Sequence, residues 1–597
     1  MNEQDLRGEI AAVKEGRLSR RDFVQRMLAV GLTAPMAGMM LAHSGVAMAA
    51  QDFPYKPTKA GGGGPLKLLF WQAPTLLNPH FAIGTKDQEA ARAFYEPLAG
   101  WDAEGNLVPV LAAEIPSMAN GTVAADGTFV IWKLKQGVTW HDGHPFTADD
   151  VIFNWQYATD PETSAVTSGD YKHIKAIEKI DDHTIRVVFA QPTPLWMTGF
   201  VGGGSALIPK HLFGDYIGAK SREAPNNLKP VGTGAYLFVD FKPGDVLLGK
   251  LNPNYHVPNR PYFDTLEIKG GGDAVSAARA VLQTGEYDYA WNLQVEDEIL
   301  LKLESGGAGQ VEIVPGGNFE FILLNATDPW TEVDGERSSI RTKHPVLSDP
   351  AVRAAINMLI DRASVQKYVY GRGGIATANC INNPARYRSP NTSFEFSIAK
   401  ANELLDGAGW KKGASGIREK DGKQLKLVFQ TSINAPRQKN QAIIKQACQK
   451  AGIELELKSI VGSVFFSSDT ANPDTYAHFY CDMEMYQWFT LSPEPQNFMN
   501  QYVSWEVASK ANKWQGRNIS RWQSKDYDDL YRELTREIDP VKRAALYIRL
   551  NDTVCAGHHV LPQLSRPRMS GLRRGLQTHS SGWDNDLWQL PNWYREG

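Results

Sequence analysis

Hydrophobic and polar positions run through this chain in two interleaved rhythms. Alternation with period two in LKLLF (66–70), TIRVVF (184–189), FEFILL (319–324), LKLVFQTS (425–432) and ELELKSI (454–460) predicts strands. Between them, apolar residues recur every three to four positions in ADDVIFNWQYAT (148–159), AVSAARAVLQTG (274–285), SIAKANELLDGAGW (397–410) and PRQKNQAIIKQACQKAGI (436–453), which predicts helices. Thr147 is placed to cap the first of these, with Asp149 and Asp150 at its positive end. DPAVRAAINMLIDRASVQKYVY (349–370) predicts one long helix, with Asp349 as its cap and Pro350 in its first turn. DDLYRELTREIDPVKRAALYIRLNDTVCAG (528–557) predicts two helices, and GAYLFVDFKPGDVLLGKL (234–251) a hairpin. DGTFVIWKLKQGVTWHDGHPF (126–146) predicts two strands across a glycine turn. Strands alternating with helices, without a fixed-period repeat, define an α/β chain.

The first 65 residues follow neither rhythm. Arg20 and Arg21 precede an interrupted apolar stretch, Met27–Ala42, which falls short of the roughly 20 residues that span a bilayer. Ala47-Met48-Ala49 offers the small residues of a cleavage site, so residues 1–49 read as an export signal. Ser19-Arg20-Arg21-Asp22-Phe23-Val24 resembles the twin-arginine signature, making the twin-arginine translocase the expected export partner. No cysteine occurs before residue 380, so no lipid anchor is expected, and the protein should diffuse freely in a periplasm. QDFPYKPTKAGGGGP (51–65) reads as a flexible linker.

Composition narrows the function. A chain of 597 residues exceeds a single core and predicts at least two domains. A net charge of −3 without a basic stripe argues against a nucleic-acid partner. Sixteen tryptophans suit a cleft lined with rings, although large cores use them too. Of Cys380, Cys448, Cys481 and Cys555, the pair Cys380–Cys481 is the expected disulfide, with Cys448 buried on a helix.

Six blocks in a fixed order then carry a resemblance. They are 126–155, PVGTGAYLF (230–238), AVLQTGEYDYAW (280–291), DPAVRAAINMLIDR (349–362), AKANELLDGAGW (399–410) and DPVKRAALYIRLNDTV with HHVLPQLSR (539–566). Together they resemble the peptide-binding family of ABC-transporter solute-binding proteins. The resemblance implies a two-lobe periplasmic-binding-protein fold of the large peptide-binding type, with an extra N-terminal subdomain and a two-segment hinge. Lobe I would take 53–315 plus 556–597, and lobe II 316–555. It implies a monomer that encloses a small-molecule ligand and delivers it to an ABC permease and ATPase, with no catalytic residues and no cofactor.

His141-Asp142-Gly143-His144 is the most enzyme-like stretch. Two histidines three apart across a glycine turn do not match the i, i+4 helical pair of zinc sites, and the resemblance makes the segment structural. His558-His559, before an apolar strand, is read the same way. For the ligand, the resemblance points to YCDMEMYQWFTLSPEPQNF (480–498). Trp488 would wall the cleft, with Tyr486 and Phe489 beside it. The family's ammonium-binding aspartate falls at Leu491, so a free peptide N-terminus lacks its partner. An opine-like conjugate, a sugar or a blocked peptide is therefore expected, unless Glu484 or Asp482 supplies a displaced carboxylate; Glu494 matches a structural acid–Pro pair. Trp71, Gln72, Ala73 and Pro74 close the opening strand where backbone meets ligand, and Asn325 ends the strand that crosses between lobes. Tyr95, Trp583 and Arg437 complete the candidates, Arg437 at a helix start suited to an anion.

Overall fold

The computed structural model describes residues 3–15, 17–29, 55–488, 490, 492–537 and 539–596. Two sheets organise the chain. The first has seven strands in the order Gly309–Val314, Arg568–Arg573, Tyr289–Ala290, Pro65–Phe70, Thr265–Gly270, Val246–Leu251 and Tyr236–Lys242. Its opening strand, Pro65–Phe70, runs parallel to both neighbours and sets Leu66, Leu68 and Phe70 into a dry core. The same core takes in Val130, Trp132, Ile185 and Val187 from a separate three-stranded sheet, so this extra subdomain is welded to the first lobe.

The second sheet orders six strands as Ile375–Ala376, Val560–Ser565, Phe319–Leu324, Met483–Trp488, Lys426–Ser432 and Glu454–Ile460. Phe319–Leu324 and Met483–Trp488 at its centre pair antiparallel, Phe319 opposite Trp488. Alternation sends Met483 and Met485 to one apolar core and Tyr486 to the other. No helix among the described residues is long and apolar enough to cross a membrane.

Several sequence expectations are corrected. Only Phe129–Lys133 of the 126–146 segment is a strand; beyond it Leu134 bridges Ala112 and the rest closes as a turn with a Thr139–Pro145 bridge. The helix begun by Asp349 and Pro350 stops at Met358, because the Asp361 side chain accepts from Ser364 N and starts a new turn. Residues 55–64 are docked, not a linker: the Asp264 carboxylate accepts from Gly62 N and Gly64 N, both 2.8 Å, and Tyr55 stacks on Tyr594. At the N-terminus, helices Glu3–Lys14 and Arg20–Ala29 pack on each other through Val13, Leu18, Phe23 and Met27. Most of the apolar stretch and the cleavage site lie outside the described residues.

The expected Cys380–Cys481 disulfide is not formed: all four cysteines are free thiols. Cys380 lies 3.7 Å from Cys555, sulfur to sulfur, a contact and not a bond, where Asn551 of the helix Pro540–Ala556 accepts from Cys380 N and draws that loop in. Cys481 is elsewhere, donating to Met483 O, and Cys448 is buried on its helix as expected.

The return to the first lobe comes later than residue 556. Val560–Ser565 pairs with Phe319–Leu324, so the chain crosses at 566–567; the outward crossing is at 315–318. Glu320 ties these crossings together. It is fully buried, 2.7 Å from Arg566 and 3.5 Å from Arg437, and accepts from the Tyr370 hydroxyl. Arg566 N also donates to Asn318 O across the two crossings, at 2.9 Å. Burial works to raise the Glu320 pKa, but Arg437 and Arg566 outweigh it and hold the carboxyl below its usual value. A depressed carboxylate stabilises the fold above the ordinary glutamate pKa of about 4.3, and that contribution fades as pH falls through its own lower value. Removing it leaves two arginines facing a dry void. Glu320→Ala should therefore lower the unfolding free energy at pH 7 by about 3–5 kcal/mol. In urea melts the gap between variant and wild type should shrink as pH is lowered below 4; a loss under 1 kcal/mol at pH 7 would contradict this role.

Candidate ligand cleft

Between the two lobes lies a cavity of about 230 Å³. Strand geometry supplies one wall. Tyr486 and Trp488, two residues apart on Met483–Trp488, project from the same face into the space. Phe498 backs Trp488 at a centroid distance of 6.4 Å and meets Phe319 edge-on at 5.4 Å. Tyr486 is propped by Tyr476 and Phe321, so its ring has one available orientation. The first lobe contributes Leu195 and Met197 opposite, with Thr85 and Gln88 from the helix Thr85–Arg92.

One ion pair spans the space. Asp170, on the short helix Ser168–Tyr171 of the first lobe, receives Arg517 of the second lobe, whose Nη2 lies 3.1 and 3.0 Å from its two oxygens. Asn497 donates to the same carboxylate at 3.1 Å, and Lys172 reaches Glu506 at 3.2 Å nearby. Burial raises the Asp170 pKa, and the Arg517 guanidinium beside it offsets only part of that rise. Around the cavity the described residues include no histidine, cysteine or lysine.

The loop after Trp488 is fastened to the hinge. Thr490 N donates to Asn318 Oδ1 at 2.8 Å, Thr490 Oγ1 donates to Gly317 O at 3.0 Å, and Arg568 reaches Thr490 O. Glu494, at the cavity edge, is consumed by Arg543 and Tyr547, with Tyr387 donating at 3.2 Å; it is structural, as its acid–Pro context suggests.

Of the residues named from sequence, Trp488 and Tyr486 line the cavity. Gln72 and Arg437 border a smaller hollow of about 30 Å³ that shares Gly84, Thr85, Phe466 and Gln487 with it. Arg437 is buried, bonded to Ser432 and facing Glu320, so the anion it meets belongs to the protein. Ala73 packs on Gly270, and the Trp71 indole donates to Asn292 O. Asn325 is spent on Ser338, Phe479 O and Cys481 O. Tyr95 and Trp583 belong to the first-lobe core. Neither Asp482 nor Glu484 lines the cavity: Asp482 is bonded to His344, Trp330 and Val428 N, and Glu484 to Gln430 through one oxygen, its other oxygen buried without a partner. Burial pushes the Glu484 carboxyl up to about 8. Phe489 and Leu491 lie outside the described residues. Sequence reasoning missed Asp170, Arg517, Phe498 and Trp514. Only Phe498 left a signal, as the last residue of the segment quoted for the site.

Comparison with known proteins identifies the family and the fold. The chain matches the profile of bacterial extracellular solute-binding proteins, family 5 Middle, across residues 106–510. It is 25% identical over 540 residues to the oligopeptide-binding protein AppA of Bacillus subtilis (strain 168), covering 87% of this chain and 93% of AppA. It is 28% identical over 346 residues to the glutathione-binding protein GsiB of Escherichia coli (strain K12), covering 57% of this chain and 60% of GsiB. The solved structure of B. subtilis AppA in complex with a nonapeptide superposes with a TM-score of 0.77 at 21% identity, over 91% of this chain and all of that one. That of the binding protein AgaA from A. tumefaciens R10 with agropinic acid gives 0.72 at 18% identity, over 89% and 99%. A match across more than half its length places this chain among the bacterial extracellular solute-binding proteins of family 5.

Proposed function

We propose that this protein is the exported receptor of an ABC importer, which closes its lobes over a small polar organic solute and presents it to a permease–ATPase pair as a monomer. The observation that carries the reading is the Asp170–Arg517 pair inside an aromatic cavity. Each lobe supplies one of the two charges, so a solute with opposite charges of its own can exchange with the pair and still hold both lobes. Only such two-sided contact shifts a hinge equilibrium toward closure. A cavity of about 230 Å³ suits a solute of a few residues or an amino-acid conjugate, not an extended chain. The peptide, glutathione and agropinic acid ligands named for the relatives support an amino-acid-derived compound. With Leu491 at the family's aspartate position, an unmodified ammonium terminus lacks a dedicated carboxylate, which favours conjugates and blocked peptides over plain dipeptides.

Three outcomes test this reading. Solute released from natively purified protein should be identified by mass spectrometry and its affinity measured by calorimetry on stripped protein. Trp488→Ala should then cost about 2–4 kcal/mol of binding, and Arg517→Met at least about 2 kcal/mol. An Arg517→Met protein that binds and compacts in small-angle scattering like wild type would remove the pair from recognition. Plain di- and tripeptides should bind more weakly than about millimolar, roughly −4 kcal/mol, and Leu491→Asp should improve them; micromolar binding of a dipeptide to the wild type would return the protein to ordinary peptide uptake. For export, the twin-arginine receptor reads the guanidinium pair and not simply charge. Arg20→Lys with Arg21→Lys should leave precursor in the cytoplasm, and normal periplasmic yield of that variant would reject the route.

A further inference from the structure

Asp142, His144 and His211 belong neither to the hinge nor to the cavity. Two backbone elements, each fixed on its own, bring them together. Asp142 and His144 sit on a tight turn in which Trp140 N donates to His144 O at 2.8 Å and Gly143 N donates to Trp140 O at 2.9 Å. Gly143 takes φ +90°, which a residue with a side chain adopts only under strain. His211 sits on the short helix Lys210–Phe213, anchored where Lys210 N donates to Asp150 at 3.0 Å. His211 Nε2 then lies 2.7 Å from Asp142 Oδ2, and His144 Nδ1 lies 3.3 Å from Asp142 Oδ1. The two imidazoles stack with centroids 4.0 Å apart, and the three donor atoms all lie within 4.8 Å of one another.

The other histidine of the turn is excluded. Both nitrogens of His141 are occupied, Nδ1 by Gly232 N at 3.1 Å and Nε2 by Gly234 O at 3.0 Å. The spacing that argued against metal in the sequence was that of His141 and His144; the fold replaces His141 with His211, from a separate element. An Asp142–His211 hydrogen bond alone would be an ordinary surface pair. It leaves His144 unexplained, because this ring is 59% exposed and yet lies flat on His211 with a nitrogen toward the same carboxylate.

We propose that Asp142, His144 and His211 form a surface site for a divalent transition ion, with zinc as the reference ion. Two imidazoles and one carboxylate are the donors such ions take, whereas magnesium and calcium prefer all-oxygen shells. Zinc bonds of about 2.0–2.2 Å to nitrogen and oxygen set tetrahedral donors roughly 3.3 Å apart. The three atoms reach that spacing by small side-chain rotations, which their exposure permits. The remaining coordination position faces solvent and takes water or a donor from a docking molecule.

The test is titration of untagged full-length protein by calorimetry with Zn²⁺, Ni²⁺ and Mg²⁺. One equivalent of Zn²⁺ or Ni²⁺ should bind and Mg²⁺ should not. His144→Ala and His211→Ala should each weaken zinc binding by roughly tenfold or more, while His183→Ala should leave it unchanged. As a measurement without variants, zinc should protect His144 and His211 from acylation by diethylpyrocarbonate, read by mass spectrometry. Equal zinc binding by the His144→Ala/His211→Ala protein, or acylation of both residues unaltered by the metal, would overturn the site.

Discussion

Glu320 is buried away from bulk solvent, and the geometry of the crossings follows from how its charge is met. Arg566 comes from the returning crossing, Arg437 from a helix of the second lobe, and Tyr370 from a third segment. A buried carboxylate is tolerable only when such partners are fixed, so each of the three segments has one position relative to the central strand. Both crossings are thereby held side by side, and two lobes with independent cores share one axis.

On that axis the cavity assembles from unlike parts. The second lobe brings rings on a strand that pairs along its whole length with Phe319–Leu324 on one side. The first lobe brings aliphatic side chains and an acid on a short helix. Aromatic surfaces favour the flat, apolar portion of a solute, and the Asp170–Arg517 pair inside the cavity leaves the polar selection to few atoms.

Most of the secondary structure was legible, because period and caps are local properties. The places where reading failed are those decided at a distance. VLPQLSRPRMSGLR (560–573) looks continuous, and only pairing with strands far away in the chain sends its halves to different sheets. Residues 55–64 have the composition of a linker, yet one carboxylate, Asp264, pins them. Asp482 and Glu484 were legible as acids of the site segment, but their burial against His344 and Gln430, contributed by segments distant in the chain, was not. Asp170 and Arg517 had no signature at all, since each acquires its role only from the other, across the interlobe space. Trp488 was found because its segment belongs to a recognisable order of blocks.

The hydrogen bonds from Thr490 to Gly317 and Asn318 have a consequence for how such a receptor changes specificity over time. The loop that follows the tryptophan wall is stitched to the residues where the chain crosses from one lobe to the other. Lengthening or re-routing that loop would therefore disturb the lobe connection as well as the cavity. Exchanging side chains on the strand or on the opposite helix carries no such penalty. New ligands are thus most readily acquired by point substitution in a frame of constant loop length, with the crossing inherited intact.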